Sequence, residues 1–189
     1  MTEPHYFLAV PVSKMIQNIY QRNQSELMEA YSFKQWVHTE DLHITVAFLG
    51  GLSKEKVNQV REKTRLAMQK LNKVAPFSLN LSELKTFGSE QSPRILWVEI
   101  EGDLGALHEI QQTISNVCTG LELKTDKRLY RPHMTIAKKW MGDSRFSVYL
   151  SPFKNAKTEW RVDEVCLMEI NPRVNPKYKI IERFQIGDE

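Results

Sequence analysis

The chain has 189 residues, with 26 Lys and Arg against 23 Asp and Glu, for a net charge of +3. With 41% hydrophobic and 26% charged residues it belongs among folded globular proteins rather than disordered or fibrous ones, and its length suits one domain burying roughly 70% of its unfolded surface. Its two cysteines, Cys118 and Cys166, exclude a disulfide framework and a Cys-rich zinc module, and point to a reducing compartment, the cytoplasm.

From the N-terminus, Tyr6–Val12 is apolar and rich in strand formers. It lacks a basic region before it and a small-residue cleavage site after it, so it reads as a first strand rather than a signal peptide. Ser13 can cap a helix with Ile16, Ile19, Tyr20 and Leu27 on one stripe. Phe33–Val37 and His43–Leu49 are strand candidates, and Ser53 can cap a second helix carrying Val57, Val60, Ala67 and Leu71. Phe77–Leu84 and Ile95–Ile100 read as strands around a turn-rich stretch at Gly88–Pro93. Gly102-Asp103 opens a third helix that ends near Gly120. His133–Ala137, Val162–Ile170 and Tyr178–Ile186 complete the strands. No run approaches the ~20 apolar residues that span a bilayer, so no membrane association is expected. Strands outnumber helices without strict alternation, which argues for α+β with mainly antiparallel sheet. GxGxxG and GxxxxGK[ST] motifs do not occur, which removes dinucleotide and P-loop readings.

Charge is unevenly spread. Residues 124–161 carry 10 basic and 3 acidic side chains, against 12 and 14 before them and 4 and 6 after. Such a segment attracts a phosphate-bearing partner. Within it lies the second copy of a short motif: His43-Ile-Thr-Val-Ala47 recurs as His133-Met-Thr-Ile-Ala137, 90 residues later. On a regular strand His43, Thr45 and Ala47 share one face, while Ile44, Val46 and Phe48 share the other. The same alternation sets His133, Thr135 and Ala137 against Met134 and Ile136. The apolar face goes to a core and the His/Thr face to a cleft. Two related lobes would bring two imidazoles and two hydroxyls together. Imidazoles titrating near pH 6.5 can serve as general base and general acid, and hydroxyls can bind non-bridging phosphate oxygens. An approximately symmetric pair of this kind suits in-line displacement at phosphorus without a metal.

These motifs resemble the 2H phosphoesterases, named for two HxT-hydrophobic motifs, and within them the bacterial RNA 2′,3′-cyclic phosphodiesterases, also called 2′-5′ RNA ligase-like proteins. The landmarks are Tyr6-Phe-Leu-Ala-Val, Trp36-Val37, Asp41-Leu-His-Ile-Thr-Val-Ala-Phe-Leu-Gly50, Ile95-Leu-Trp-Val98 and Arg131-Pro-His-Met-Thr-Ile-Ala-Lys138. The resemblance implies a single domain over residues 1–189, built as a bilobal, pseudo-twofold, LigT-like fold. Its two mainly antiparallel sheets would be flanked by helices and separated by a central cleft, with motif one at 43–46 and motif two at 133–136. It implies hydrolysis of RNA 2′,3′-cyclic phosphate ends to 2′-phosphates, His43 donating a proton to the leaving 3′ oxygen, His133 activating water, and Thr45 and Thr135 holding the phosphate. No cofactor or metal is implied, and a monomer is expected. Rival readings are a phosphodiesterase for 2′-5′-linked oligonucleotides or small cyclic nucleotide phosphates, and a non-catalytic RNA-end binder; ligation would be the reverse reaction.

Substrate contacts outside the motifs are expected from Arg131, Lys138, Lys139 and Trp140. The family often has Arg where this chain has Lys138, which keeps the charge but loses the bidentate fork. Lys138 stands an odd number of residues from His133, so a bulge or the strand's end would have to turn it inward, or its long stem would have to reach around; Lys139 has the better alternation. Trp36, Trp140, Tyr130 and Phe7 are candidates for stacking on a base, while Trp97 reads as core. Lys124, Lys127 and Arg128 complete the basic cluster. His5, His38 and His108 are assigned surface or packing roles. There is no HExxH and no GxSxG, so neither a zinc site nor a serine nucleophile is supported.

Overall fold

The computed structural model describes residues 3–71, 74–89, 91–124, 126, 128–143, 146–153 and 156–187. Three helices, α1 (Lys14–Ala30), α2 (Lys54–Gln69) and α3 (Leu104–Gly120), start where capping residues predict. Ser13 Oγ accepts the Ile16 N–H at 3.4 Å, Ser53 Oγ that of Lys56 at 3.2 Å, and Asp103 Oδ1 that of Ala106 at 2.9 Å. Each cap satisfies a donor that the first helical turn leaves without a partner. Each helix buries one stripe, such as Ile16, Tyr20 and Leu27 on α1 and Leu107, Ile110 and Ile114 on α3. Gly102 ends the strand before α3 at φ +107°, where a Cβ would stand 2.5 Å from the Ser78 carbonyl, so only glycine fits.

The strands are β1 (His5–Pro11), β2 (Phe33–Trp36), β3 (His43–Gly51), β4 (Phe77–Gly88), β5 (Pro93–Gly102), β6 (His133–Trp140), β7 (Trp160–Val162), β8 (Glu164–Ile170) and β9 (Tyr178–Gln185). Their pairings are antiparallel, in the order β7-β4-β5-β6-β3-β1-β8-β9, with β2 beside β6. The sheet consists of two ladders, β7-β4-β5-β6 and β3-β1-β8-β9, joined where Ile44 of β3 pairs with Met134 of β6. This is the α+β arrangement expected, with the two ladders continuous at one point. The segment 162–170, read as one strand, is divided at Asp163: β7 pairs with β4 and β8 with β1. A 3₁₀ turn at Thr39–Asp41, which no apolar period announces, precedes β3.

One large apolar cluster fills the side where the helices lie, taking in Leu8, Val10, Ile44, Leu96, Val98, Met134 and Ile136 with the helix stripes. A smaller cluster of Phe7, Ala9, Cys166 and Met168, flanked by Ile170 and Tyr178, covers the opposite face of β1 and β8. That second face carries the motif histidines. Among the described residues, no helix is long and apolar enough to cross a membrane.

Candidate active site

β3 and β6 touch through the second residue of each motif, and both Ile44 and Met134 are fully buried on the helix side. Side chains alternate along a strand, so His43 and Thr45 flank this pair on the other face, as do His133 and Thr135. Antiparallel register sets His43 on the side of Thr135 and Thr45 on the side of His133.

Simple alternation then fails, in the same way on both strands. Along β1, Ala9 pairs with Thr45 and Leu8 with Ala47, leaving Val46 as an extra residue. Along β5, Trp97 pairs with Thr135 and Leu96 with Ala137, leaving Ile136 as the extra residue. A bulge of this kind shifts the side chains that follow it to the opposite face. Ala137 therefore joins the core with no exposure, contrary to the expectation that it shares the His133 face, and Ala47 packs against the same core. Phe48, expected in the core, emerges beside Phe7 with 62% exposure and a ring separation of 6.0 Å. Lys138, the corresponding residue of motif two, returns to the face of His133.

The histidines are held alike. His43 Nδ1 donates to the Asp41 carbonyl and His133 Nδ1 to the Arg131 carbonyl, each at 2.7 Å. With Nδ1–H fixed by a carbonyl, Nε2 is the atom that gains or loses a proton. His43 Nε2 lies 3.0 Å from Thr45 Oγ1. The His43 ring packs on Phe7 at 4.8 Å and Tyr178 at 5.2 Å; His133 packs on Phe87 at 4.9 Å and Trp97 at 5.6 Å. Burial among these rings lowers the His43 pKa to about 4, with Lys138 and His133 adding to the fall against the Asp41 carbonyl bond. Burial also lowers that of His133, helped by Lys138 and Arg131. Lys138 itself is lowered by desolvation and by the Lys177 cation. Its charge is felt at both imidazoles. Both imidazoles are thus neutral at pH 7, beside a cation with a softened grip on its proton.

Two further residues frame the site. Asp41 is 4% exposed, and its carboxylate accepts the Lys177 N–H at 2.9 Å and the Tyr178 N–H at 3.0 Å. Tyr130 donates its hydroxyl to the Thr45 carbonyl at 3.1 Å, tying the approach to motif two onto motif one.

The remaining expectations divide. Arg131 stands at the cleft, its guanidinium 6.0 Å from the Phe87 ring centre. Lys139 adopts a left-handed backbone, φ 64°, and is exposed. Trp140 does not offer a stacking face: its ring contacts Phe33 at 5.2 Å and Phe146 at 5.1 Å, against the large core. Counting on from Lys138 would return Trp140 to the cleft face, but the left-handed backbone at Lys139 breaks the alternation between them and the ring turns to the core. Trp36 packs edge-on to Phe33, and Phe7 is buried beneath His43. Trp97 is 2% exposed as expected, but it lies against His133 rather than in the helix-side core. Arg128 pairs with Asp126, and Lys127 lies outside the described residues. His38 Nδ1 accepts the Glu40 N–H, and His108 bonds the Leu104 carbonyl. Phe48, Tyr178 and Lys177 are additions that sequence reasoning missed. Among the described residues, no three His, Cys, Asp or Glu side chains gather as a metal site.

Curled antiparallel ladders bearing two facing His-x-Thr strands define a class, and comparison with known proteins gives the family. Residues 15–172 match the 2′-5′ RNA ligase superfamily model, and the chain belongs to that superfamily. It is 30% identical over 185 residues to the RNA 2′,3′-cyclic phosphodiesterase of Bacillus subtilis (strain 168), covering 97% of both chains. It is 35% identical over 187 residues to the protein of that name from Geobacillus stearothermophilus, covering 98% of this chain and 58% of that one. The chain therefore spans somewhat over half the length of that relative. The fold matches E. coli LigT complexed with 3′-AMP at a TM-score of 0.79 and 18% identity, over 98% of this chain and all of LigT.

Proposed function

We propose that this chain hydrolyses RNA 2′,3′-cyclic phosphate ends to a 2′-phosphate and a 3′-hydroxyl, without a metal ion. The observation that carries this reading is the pairing of Ile44 with Met134, with a matching bulge after each His-x-Thr. It gathers two imidazoles, two hydroxyls and one ammonium on a single face. The names of the Geobacillus and Bacillus relatives support the same substrate.

His133 Nε2 takes a proton from water, and the oxygen so released bonds to phosphorus. The bond from phosphorus to O3′ breaks, and His43 Nε2 gives its proton to O3′. Thr45, Thr135 and Lys138 bond the non-bridging oxygens as charge builds on them. A His43 pKa of about 4 means that this imidazole takes up its proton together with the substrate, whose phosphate anion favours the charged form. Phe48 offers the terminal base an aromatic face, an interaction that tolerates any base. The two ladders are, in this reading, related lobes of one domain. Both motifs come from one chain, so a monomer suffices, and the two buried free cysteines suit the cytoplasm.

The test is product analysis with EDTA-treated protein and an excess of oligonucleotide ending in a 2′,3′-cyclic phosphate. Many turnovers to a 2′-phosphate are expected, with His43→Ala and His133→Ala each lowering kcat by ~10²-fold or more while remaining folded. A 3′-phosphate product, turnover of 2′-5′ linkages alone, mere stoichiometric binding, or activity lost with EDTA and restored by a divalent ion would overturn the reading.

A further inference from the structure

The link between β8 and β9 is tied to motif one. Asn171 N–H donates to the Lys177 carbonyl at 2.8 Å, closing the loop. The nearly buried Asp41 carboxylate then takes the backbone N–H groups of Lys177 and Tyr178. A buried carboxylate is tolerated only when it is well bonded, so this end of the loop is fixed. The same Asp41 holds His43 through its carbonyl. Lys177 is thereby set in register with the general acid, and its cation is felt at Lys138.

A 2′,3′-cyclic phosphodiester carries one negative charge, which Lys138 and the protonated His43 already answer. Lys177, whose backbone is fixed beside the anchor of His43, brings a second ammonium suited to a second anion. In an RNA strand, the next anion is the phosphodiester on the 5′ side of the terminal nucleotide. On the opposite wall, Lys85 is already paired with Glu99, the residue in register with His133, and Glu101 accepts from Asn80 and Ser82. Beside this lysine, at its neighbours Pro176 and Tyr178, opens a groove of about 640 Å³ whose lining holds Lys14, Arg161 and Arg183 as well as Glu40, Asp163 and Glu164.

We propose that Lys177 contacts the phosphodiester immediately 5′ of the terminal nucleotide, so that the cleft favours an RNA strand end over a free nucleoside cyclic phosphate. The inference rests on the hydrolase reading above. Its test compares kcat/KM for a nucleoside 2′,3′-cyclic phosphate with a 5′-hydroxyl, the same compound with a 5′-phosphate, and a dinucleotide with a cyclic end. The wild type should prefer the second and third. Lys177→Met should shrink that preference by about fivefold or more, the scale of a lost contact to a charged group, and Lys177→Arg should retain it. A preference unchanged in Lys177→Met, or an equal loss on all three compounds, would overturn the proposal. If the wild type turned over none of them, the hydrolase reading would fail separately. The preference would then be measured as dissociation constants for the three compounds: a shrunken preference in Lys177→Met would support the contact, and an unchanged one or a uniform loss would refute it.

Discussion

Replacing His43 by Gln removes an imidazole whose proton affinity the fold strongly depresses, while leaving an amide able to reach the Asp41 carbonyl. Burial lowers the pKa from 6.5 to about 4, so between those values the unfolded chain binds a proton that the folded chain refuses. Stability therefore falls as the solution is acidified from pH 6.5 towards 4. At ~1.4 kcal/mol per pK unit, the whole effect is roughly 3 kcal/mol, and roughly 2.5 kcal/mol of it is lost between pH 7.5 and 4.5. The assay is urea unfolding of wild type and His43→Gln at those two pH values. Carboxylates common to both proteins cancel in the difference. The variant should lose less stability on acidification, by about 2 kcal/mol or more, even if it is the weaker protein at pH 7.5. Parallel pH dependences would show that His43 is not shielded from water, and the neutral-imidazole argument would fall with it.

Lys138→Met should lower kcat/KM for a nucleoside 2′,3′-cyclic phosphate by roughly 10–150-fold, the range for a lost bond to a charged group, whereas Lys139→Met should stay within about threefold of wild type; the reverse order would place the phosphate on the wrong lysine. Both imidazoles titrate below 6.5 in the free protein, so the kcat/KM profile should be a bell lying on the acid side of pH 6.5, with kcat displaced upward by the bound anion. Its limbs belong to the coupled pair rather than to either residue. In Lys138→Met the kcat/KM bell should move to higher pH, since the lost cation was holding both values down. A kcat/KM that rises from pH 6 to 8 in the wild type would contradict this account.

Much of the architecture is legible in the sequence because it depends on local signals. Ser13, Ser53 and Asp103 announce the helices, and the two His-x-Thr copies announce the site before any packing is known. What escapes is non-local. Asp41 gives no sign that its carboxylate will bind backbone 136 residues away. Val162–Ile170 looks like one strand because its apolar residues run on, and only pairing with different neighbours divides it at Asp163. Phe48 is misassigned because the two-residue period is broken by Val46, whose extra place is visible only against β1.

In the proposed reaction, the bulge after each motif threonine lets two similar strands handle an asymmetric substrate. It leaves positions one and three of each motif on the cleft face and brings the sixth position round to join them. The sixth residue is Lys138 in motif two and Phe48 in motif one. The proposed chemistry at phosphorus requires similar groups on two sides, a proton acceptor and a proton donor, and in that reading the repeated His-x-Thr supplies them. The substrate itself differs on its two sides, with anionic oxygens at one place and a flat base at another. A cation at one sixth position and an exposed aromatic ring at the other meet that difference without disturbing the repeated part. Exchanging the pair, Phe48→Lys with Lys138→Phe, would keep both histidines and both threonines yet present the charge from the motif-one side. If the cleft works as argued, that protein cannot hold the phosphate between His43 and His133 with the base in its original direction.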